Sequence, residues 1–319
     1  MFEVNWGFLG AGHIAHKALA PATHNAKGAK IYAVASRDEK RSAELGGKVV
    51  HTSYDDLLND DKVDAVYISL ANHQHLEWTI KALNAGKHVL CEKPLGLDVR
   101  ETKLMFDAAE KNNRLLVEAV WTRWHPRFKR MKQLIDEGAI GKVKAINTGF
   151  TFIGDVEGNY RNEPAMGGGA LYDIGCYEIH SWIAMSGGVK KFKVKKVKQD
   201  QARSGIDSTT WVKASINNSI KIQGCSSFDF EEYQNLEITG SKGRIKTGLG
   251  NSFGSWNEAS SLILEQKGRL VNVENFPVVD AYQLMLEEVS ARIKGGDNWV
   301  LSPADSIKAA EILDQIAAG

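Results

Sequence analysis

The sequence predicts an α/β protein of two domains: a doubly wound parallel sheet over residues 1–122, and an α+β domain with a large, mostly antiparallel, open-faced sheet over residues 123–319. Three observations predict this class. Short apolar segments alternate with helical stretches through the first third of the chain, as in a parallel sheet with helices on both faces. A glycine-rich turn joins the first strand to the first helix. From Lys142 onward, β-patterned segments separated by turn residues dominate.

Composition is that of a globular protein with a real core. The chain has 319 residues, of which 43% are hydrophobic and 25% are charged. The formal net charge of +1 gives no electrostatic reason to expect nucleic acid or a membrane surface as a partner. Cys91, Cys176 and Cys225 lack metal-ligand spacing and are expected to be free thiols. Without a stretch of membrane-spanning length or a signal peptide, the expected location is the cytoplasm.

The turn after the first strand carries a dinucleotide-binding pattern. Strand Val4–Leu9 is followed by Gly10-Ala11-Gly12-His13-Ile14-Ala15 and then by a helical stretch. In the pattern G-x-G-x-x-A, the first glycine permits the tight turn and the second lets a pyrophosphate approach the backbone. The alanine lets the helix pack closely on the strand. We therefore predict a Rossmann domain in which residues 10–14 hold the cofactor.

The end of the second strand favours NADP(H) over NAD(H). An NAD enzyme usually has an acidic residue there to bind the ribose 2′-hydroxyl, whereas this chain has Ser36-Arg37-Asp38. A hydroxyl and a guanidinium suit a 2′-phosphate, which a carboxylate would repel. The alternative is that Arg37 is an exposed loop cation and that Asp38 caps the next helix, still near the ribose.

The loop after the fourth strand is expected to border the cofactor. The nearly continuous apolar run Val63–Leu70 predicts a strand buried on both faces. Ala71-Asn72-His73-Gln74-His75 follows at the carboxyl edge of the sheet, where open α/β sheets bind their ligands. We therefore expect Leu70, Asn72 and His75 to contact the cofactor. Two histidines without a third ligand do not indicate a metal site.

A lysine follows the fifth strand at the same edge. The apolar run Lys87-His88-Val89-Leu90 leads into Cys91-Glu92-Lys93-Pro94-Leu95. The proline lacks an N–H group and restricts the residue before it, so it can fix how the lysine leaves the strand. A lone Lys-Pro is usually a solvated lysine before a turn. In the setting of a dinucleotide turn, Glu92 and Lys93 are expected at the cofactor instead.

One segment interrupts the predicted antiparallel sheet. Gly167-Gly168-Gly169 opens a helix on which Asp173 and Tyr177 are four residues apart, so their side chains share one face. A carboxylate beside a phenol suits the orientation of a proton donor. From this segment alone, the favoured interpretation is a plain helix start, with Asp173 interacting with the helix dipole and Tyr177 in the core.

Together these stretches resemble the glucose-fructose oxidoreductase / inositol dehydrogenase (Gfo/Idh/MocA) family. The resemblance is carried by Gly10-Ala11-Gly12, by residues 85–95 and by residues 167–177. Glu118-Ala119-Val120-Trp121-Thr122-Arg123 is most similar to the branch of dimeric dihydrodiol dehydrogenases and NADP-dependent D-xylose dehydrogenases, which act on cyclic dihydrodiols and aldose sugars. Tyr177 fits that branch, whereas the inositol dehydrogenases that resemble this chain have histidine there.

The resemblance implies a reaction and roles for three residues. Lys93 would hydrogen-bond the reacting oxygen, Tyr177 would give or take the proton, and Asp173 would orient the substrate or the catalytic pair. The reaction would be NADP-dependent hydride transfer at a CH–OH or C=O group of a sugar, cyclic polyol or dihydrodiol. The assembly would be a homodimer or homotetramer formed through the second sheet. The alternatives are a nicotinamide-dependent glycosidase without net redox and a non-catalytic NADP-sensing regulator.

The sequence assigns no role to several aromatic and basic residues. Aromatic faces pack well on sugars and cyclic diols, which would suit a pocket, but each aromatic residue here is equally consistent with a domain core. The residues without an assigned role are Trp121, Arg123, Trp124, Phe152 and His180.

Overall fold

The structure, a computed structural model, describes residues 3–154 and 158–319 and divides into two compact units. The first unit comprises Met1–Trp121 and Asp280–Ile307, and the second comprises Thr122–Val279 and Lys308–Gly319. The predicted boundary after residue 122 lies one residue from the first division. The prediction differs for residues 280–307, which it placed in the second domain.

The first unit begins with six strands and five helices. The strands are β1 (Val4–Leu9), β2 (Ala29–Ala35), β3 (Val49–His51), β4 (Ala65–Ile68), β5 (His88–Cys91) and β6 (Leu116–Glu118). The helices are α1 (Ala20–Asn25, after a π-helical turn Ala15–Leu19), α2 (Glu39–Glu44), α3 (Tyr54–Leu58), α4 (His75–Asn84) and α5 (Val99–Lys111). All strand pairs are parallel and the order is β3-β2-β1-β4-β5-β6. The predicted doubly wound sheet is confirmed, and its switch point lies between β1 and β4.

Local sequence signals start three of these helices. The side chains of Asp38, Ser53 and Asp98 each accept a hydrogen bond from a backbone N–H three residues on, as N-cap residues do. Asp38 therefore caps α2, which was one part of the alternative interpretation of this loop. Strand β4 is buried at every residue, as its apolar run predicts. The loop that follows β4 at the carboxyl edge therefore starts from a fully buried strand.

The second unit is built on an eight-stranded sheet. Its elements are α6 (Pro126–Asp136), β7 (Val143–Thr151), α7 (Cys176–Met185, after a π-helical turn Leu171–Gly175), β8 (Phe192–Gln201), β9 (Asp207–Ile216), β10 (Ile220–Ser227), β11 (Tyr233–Gly240), β12 (Gly243–Thr247), β13 (Ser260–Gln266) and β14 (Arg269–Phe276). The strand order is β14-β13-β12-β11-β7-β10-β9-β8. Only β7 and β10 run parallel, so the predicted mostly antiparallel sheet is confirmed.

The two faces of this sheet differ because side chains alternate along each strand. The covered face carries four buried isoleucines in adjacent register: Ile146, Ile222, Ile238 and Ile245. Helix α7 packs on this face, where the indole N–H of Trp182 donates to the Thr148 hydroxyl at 2.9 Å. The next positions of the same strands lie on the opposite face and are polar and at least partly exposed: Asn147, Gln223, Glu237 and Lys246.

Two helices, α8 (Ala281–Ile293) and α9 (Pro303–Ala317), close the chain. Helix α8 packs on the first unit, where the indole N–H of Trp6 in β1 donates to the Ser290 hydroxyl at 3.1 Å. The backbone N–H of Lys27 donates to the Glu287 carboxylate at 2.9 Å. These contacts explain why residues 280–307 belong to the first unit although they follow the second sheet. Among the described residues, no helix has both the length and the apolar character needed to cross a membrane.

Candidate functional site

The glycine-rich turn is fixed at the switch point of the parallel sheet. Gly10 has φ of +99°, and a Cβ atom there would lie 2.9 Å from the carbonyl oxygen of Ser69. Its N–H donates to the Ala35 carbonyl at 2.9 Å, and the Ser69 hydroxyl donates to its carbonyl at 3.2 Å. Only glycine fits this position. A Cβ at Gly12 would have its nearest neighbour at 3.7 Å, so the backbone there is open to a close ligand.

The remaining residues of the turn differ in how far they are exposed to solvent. Ala11 is buried, whereas Gly12, His13 and Ile14 are partly or fully exposed at the surface of the turn. The first unit therefore offers a cradle that suits a phosphate group and that added side chains would fill.

The end of β2 presents an exposed arginine and a serine whose hydroxyl is already hydrogen-bonded. Arg37 is exposed. The Ser36 hydroxyl donates to the Asp38 carbonyl at 2.7 Å and accepts the Asp38 N–H at 3.1 Å. A phosphate dianion only accepts hydrogen bonds, so Ser36 must give up its bond to Asp38 before it can bind one. Arg37 is the better placed of the two residues for a 2′-phosphate.

Buried glutamates hold the segment that carries Lys93. The Tyr67 hydroxyl in β4 donates to Glu92 at 2.7 Å, and the backbone N–H of Leu95 donates to Glu118 in β6 at 3.1 Å. The Lys93–Pro94 peptide bond is cis. Lys93 itself is partly exposed. Neighbouring strands on both sides of β5 thus fix the backbone around Lys93 at the carboxyl edge of the sheet.

His75 ties two loops of this edge together. Its Nδ1 lies 2.9 Å from the carbonyl oxygen of Pro94, and its Nε2 lies 3.1 Å from that of Leu70. Carbonyl oxygens only accept, and burial lowers the pKa of His75, so a neutral ring donates to one of them at a time. Of the residues predicted to contact the cofactor here, Asn72 and His75 are buried and Leu70 is partly exposed. His75 therefore helps to fix the segment around Lys93 through its contact with the Pro94 carbonyl.

In the second unit, close packing defines the start of the helix that carries Asp173 and Tyr177. The Asp207 carboxylate of β9 accepts the Leu171 N–H at 2.8 Å and caps the helix start. A Cβ atom at Gly169, where φ is +109°, would overlap this carboxylate. A Cβ atom at Gly168 would overlap the backbone carbonyl of Arg161. The glycines are thus required where a strand and a loop approach the helix most closely.

Asp173 forms an ion pair that the sequence did not reveal. The Nε of Arg161 donates to the Asp173 carboxylate at 2.8 Å, and Asp173 is only 8% exposed. Burial lowers the pKa of Arg161. The charges of Asp173, Tyr160 and Tyr177 together raise it by more than burial lowers it, so the net shift is upward. The same electrostatic coupling means that Arg161 favours the ionised forms of Asp173 and Tyr177. No motif marks this arginine, which lies in a short 3-10 helix (Tyr160–Asn162), 12 residues before Asp173.

Tyr177 lies among aromatic rings on the covered face of the sheet. Its ring centroid is 6.1 Å from that of Phe150 and 6.4 Å from that of Phe253. The Phe152 ring lies 6.2 Å from that of Phe150. Tyr177, Phe150 and Phe253 are all buried. The wall around the phenol is therefore built from phenylalanines that the sequence did not single out.

The residues left open by the sequence are mostly buried. Trp121, Trp124 and His180 are buried side chains. The Trp121 ring lies 5.7 Å from that of Tyr282, and the Arg123 guanidinium lies 5.7 Å from the Phe128 ring. Within residues 3–154 and 158–319, no group of three or more His, Cys, Asp or Glu side chains is arranged to hold a metal ion.

Comparison with protein families and known proteins gives one consistent result. A family model described as "Oxidoreductase family, NAD-binding Rossmann fold" matches residues 4–119, and the GFO/IDH/MocA C-terminal domain model matches residues 128–246. The NADP-dependent D-xylose 1-dehydrogenase 2 of Haloferax volcanii is 30% identical over 98% of this chain and 95% of its own length. The trans-1,2-dihydrobenzene-1,2-diol dehydrogenase of Danio rerio is 32% identical over 76% of this chain and 74% of its own.

A solved structure extends the similarity to nearly the whole chain. It is that of a 3-ketoreductase from Actinomadura kijaniata in complex with NADP and TDP-benzene. The two chains are 26% identical, with a TM-score of 0.91 over 99% of this chain and 98% of the other. Both units of the fold therefore have counterparts in that ketoreductase.

Proposed function

Because the chain belongs to the GFO/IDH/MocA family of oxidoreductases, we propose that it is an NADP-dependent dehydrogenase or reductase acting on a CH–OH or C=O group of a sugar, cyclic polyol or dihydrodiol. The observation that carries the proposal is the helix of the second unit, on which Asp173, ion-paired to Arg161, precedes Tyr177 by one turn. The names of the relatives support the substrate class, since they include a xylose dehydrogenase, a dihydrodiol dehydrogenase and a sugar ketoreductase.

The residues of the first unit fit a dinucleotide. The position of Gly10 excludes any side chain, and the backbone at Gly12 is open toward a ligand. The exposed Arg37 at the end of β2 suits the 2′-phosphate that distinguishes NADP from NAD. When bound, the nicotinamide supplies the hydride acceptor or donor. The carboxyl edge of the parallel sheet, where Lys93 also lies, would hold it.

Three side chains divide the remaining work. Lys93 hydrogen-bonds the reacting oxygen, Tyr177 gives or takes its proton, and Asp173 orients the substrate. An ordinary phenol has a pKa of about 10, too high for an efficient base near neutral pH. A neighbouring cation favours the phenolate, and Arg161 supplies such a charge within the second unit.

The substrate class is tested with a panel of aldoses, cyclic polyols and dihydrodiols with NADP⁺, and of the matching carbonyl compounds with NADPH. A dehydrogenase changes the absorbance of reduced nicotinamide in step with turnover. Release of an aglycone from an aryl glycoside tested beside the panel, without that change, would support the glycosidase alternative. Binding of NADP without turnover of any compound in the panel would support the regulator.

The cofactor preference should depend on Arg37. We expect Arg37→Gln to lower kcat/KM for NADP⁺ roughly tenfold or more, because a hydrogen bond to a charged group contributes about 1.5–3 kcal/mol. The value for NAD⁺ should stay nearly constant. Ser36→Ala is the matched control and should have the smaller effect, since its hydroxyl is engaged with Asp38. An unchanged NADP⁺/NAD⁺ ratio in Arg37→Gln would refute the assignment.

The ion pair at Asp173 gives a second prediction. We expect Arg161→Gln to lower kcat roughly tenfold, because Asp173 loses the partner that fixes its orientation. The pH at which activity depends on phenol ionisation should move upward, since a favourable charge is removed. Arg161→Lys keeps the charge and should restore that pH. Arg203→Gln, an exposed arginine on the β8–β9 turn, is the control. A pH–kcat profile that is the same in all four proteins would contradict the role.

Assembly through the second sheet is also proposed. The face opposite α7 carries polar, partly exposed side chains from adjacent strands, as a surface that packs on a second copy through hydrogen bonds would. Size-exclusion chromatography with light scattering should give the mass of a dimer or tetramer. A monomer at micromolar concentration would overturn this part of the proposal.

A further inference from the structure

Arg127 is a buried cation that is held by backbone carbonyl groups. It is the second residue of α6, and only 4% of it is exposed. Among the described residues, no carboxylate forms an ion pair with it. Burial lowers its pKa to about 10, so the guanidinium is still charged at neutral pH. Burying a charge without a counter-ion is unfavourable unless strong hydrogen bonds compensate, so its bonding partners need an explanation.

Those partners are four consecutive backbone carbonyls. Nη1 donates to the carbonyls of Leu249 and Gly250 at 3.0 and 3.2 Å, and Nη2 donates to those of Asn251 and Ser252 at 2.6 and 3.3 Å. Residues 249–252, here called the clamped loop, lie in the connection from β12 to β13. The planar guanidinium carries five N–H donors in a fixed fork, whereas an ammonium group carries three on a single nitrogen. Arg127 thus fixes a loop more than 120 residues away in the sequence.

The residue after the clamped loop carries the ring next to the candidate proton donor. The backbone N–H of Phe253 donates to the Gln234 side chain at 2.8 Å, which fixes where its ring leaves the loop. The Phe253 ring stacks on Tyr177 with an interplanar angle of 27°. It also stacks on Phe150, at 5.6 Å and 20°. Phe253 is almost completely buried in this position.

This packing restricts how the phenol can move. The Tyr177 hydroxyl oxygen lies on the axis of the χ2 rotation, so χ1 and the backbone set its position, not χ2. The Phe253 and Phe150 rings packed beside the Tyr177 ring limit its rotation about χ1. The position of the Tyr177 hydroxyl therefore depends on Phe253, and the position of Phe253 depends on the clamped loop.

We infer that Arg127 and Phe253 are positioning residues that act on the reaction through Tyr177. This inference rests on the proposed function, in which Tyr177 transfers the proton. A purely structural clamp would stabilise the protein and leave the chemistry of the folded enzyme unchanged. A positioning clamp would also set how often the phenol is correctly aligned, and misalignment by about 1 Å is enough to lower turnover up to a hundredfold.

Two substitutions test the inference in the full-length enzyme. Arg127→Lys keeps the charge but not the planar fork, and Phe253→Leu keeps an apolar side chain but removes the stacked ring. We expect each to lower kcat roughly tenfold while KM and the Kd for NADPH change less than about twofold. Arg130→Lys, one turn further along α6, alters an arginine that pairs with Glu274 and should leave kcat unchanged.

The decisive measurement repeats both substitutions in a Tyr177→Phe background. If they act through the hydroxyl, they lower kcat in the native background and have no further effect once the hydroxyl is gone. Equal effects in both backgrounds would overturn the inference and leave only a structural role. So would a loss of thermal stability without any change in kcat. If Arg127→Lys does not fold, Phe253→Leu alone decides the matter by the same comparison.

The outcome separates this inference from the proposed function. If Tyr177→Phe itself retains full turnover, the proton-transfer role of Tyr177 fails, and the positioning role fails with it. If Tyr177→Phe is impaired but the Arg127 and Phe253 variants are not, only the positioning inference fails.

Discussion

Replacing Tyr177 by phenylalanine is expected to lower turnover roughly a hundredfold or more, because the reaction loses its general acid or base. The change removes one oxygen atom and keeps the ring that packs against Phe150 and Phe253. Folding and NADPH binding should therefore survive, the latter with a Kd within about twofold of the native value. The measurement is steady-state kcat on the preferred substrate, with NADPH affinity determined by fluorescence titration.

The control for this variant is Tyr172→Phe, which removes a hydroxyl from the same helical segment, five residues earlier. Its turnover should stay near the native value. Near-full turnover in Tyr177→Phe would move the proton transfer to another residue. His180, one turn further along α7, would then be examined first.

The parallel sheet is the part of the fold that sequence reasoning predicts best. Its strands are short apolar runs, and N-cap residues such as Ser53 and Asp98 mark the helix starts locally. Edge strand β8 of the second sheet lacks such a local signal, because six of the nine residues from Lys190 to Lys198 are lysines. Lysine is depleted in strands generally but common at exposed sheet edges, where it prevents pairing with other chains.

In the candidate site, too, local features can be predicted from the sequence and long-range contacts cannot. The spacing of Asp173 and Tyr177 is local, so the helical repeat alone predicts that they share a face. The contacts that support them are not local. Asp207 caps the same helix from a strand 36 residues later, and Arg127 reaches the clamped loop from more than 120 residues away. Such contacts depend on the path of the chain through the second unit, which no local pattern encodes.

The contribution of Glu178 to the stability of the protein should fall as the pH rises toward neutral. This carboxyl follows Tyr177 in the sequence and is only 1% exposed. Burial raises its pKa to about 7, although the hydroxyls of Ser226 and Thr148 and the N–H of Cys225 donate to it and act in the opposite direction. These bonds join α7, the helix that carries the candidate proton donor, to strands β7 and β10.

The sign follows from the two pKa values. In the folded protein the carboxyl keeps its proton up to about pH 7, whereas in the unfolded chain it loses the proton near its ordinary value of 4.5. Between those values the folded state binds more protons, so the free energy of unfolding decreases as the pH rises. A shift of this size corresponds to about 3 kcal/mol, lost between roughly pH 4.5 and 7 and constant above that.

Urea denaturation of the native protein and Glu178→Gln across this range isolates the effect. The comparison is needed because burial lowers the pKa values of His88 and His125 to about 4, which makes stability rise with pH below about 6.5. Cys225 does not contribute, since burial raises its pKa to about 11. The difference between the two proteins should change by about 3 kcal/mol in favour of Glu178→Gln as the pH rises from 5 to 8. Glu237→Gln, on the opposite face of the sheet, should follow the native curve. A constant difference between native protein and Glu178→Gln would show that this carboxyl is already ionised at pH 5, and that its three hydrogen bonds compensate fully for burial.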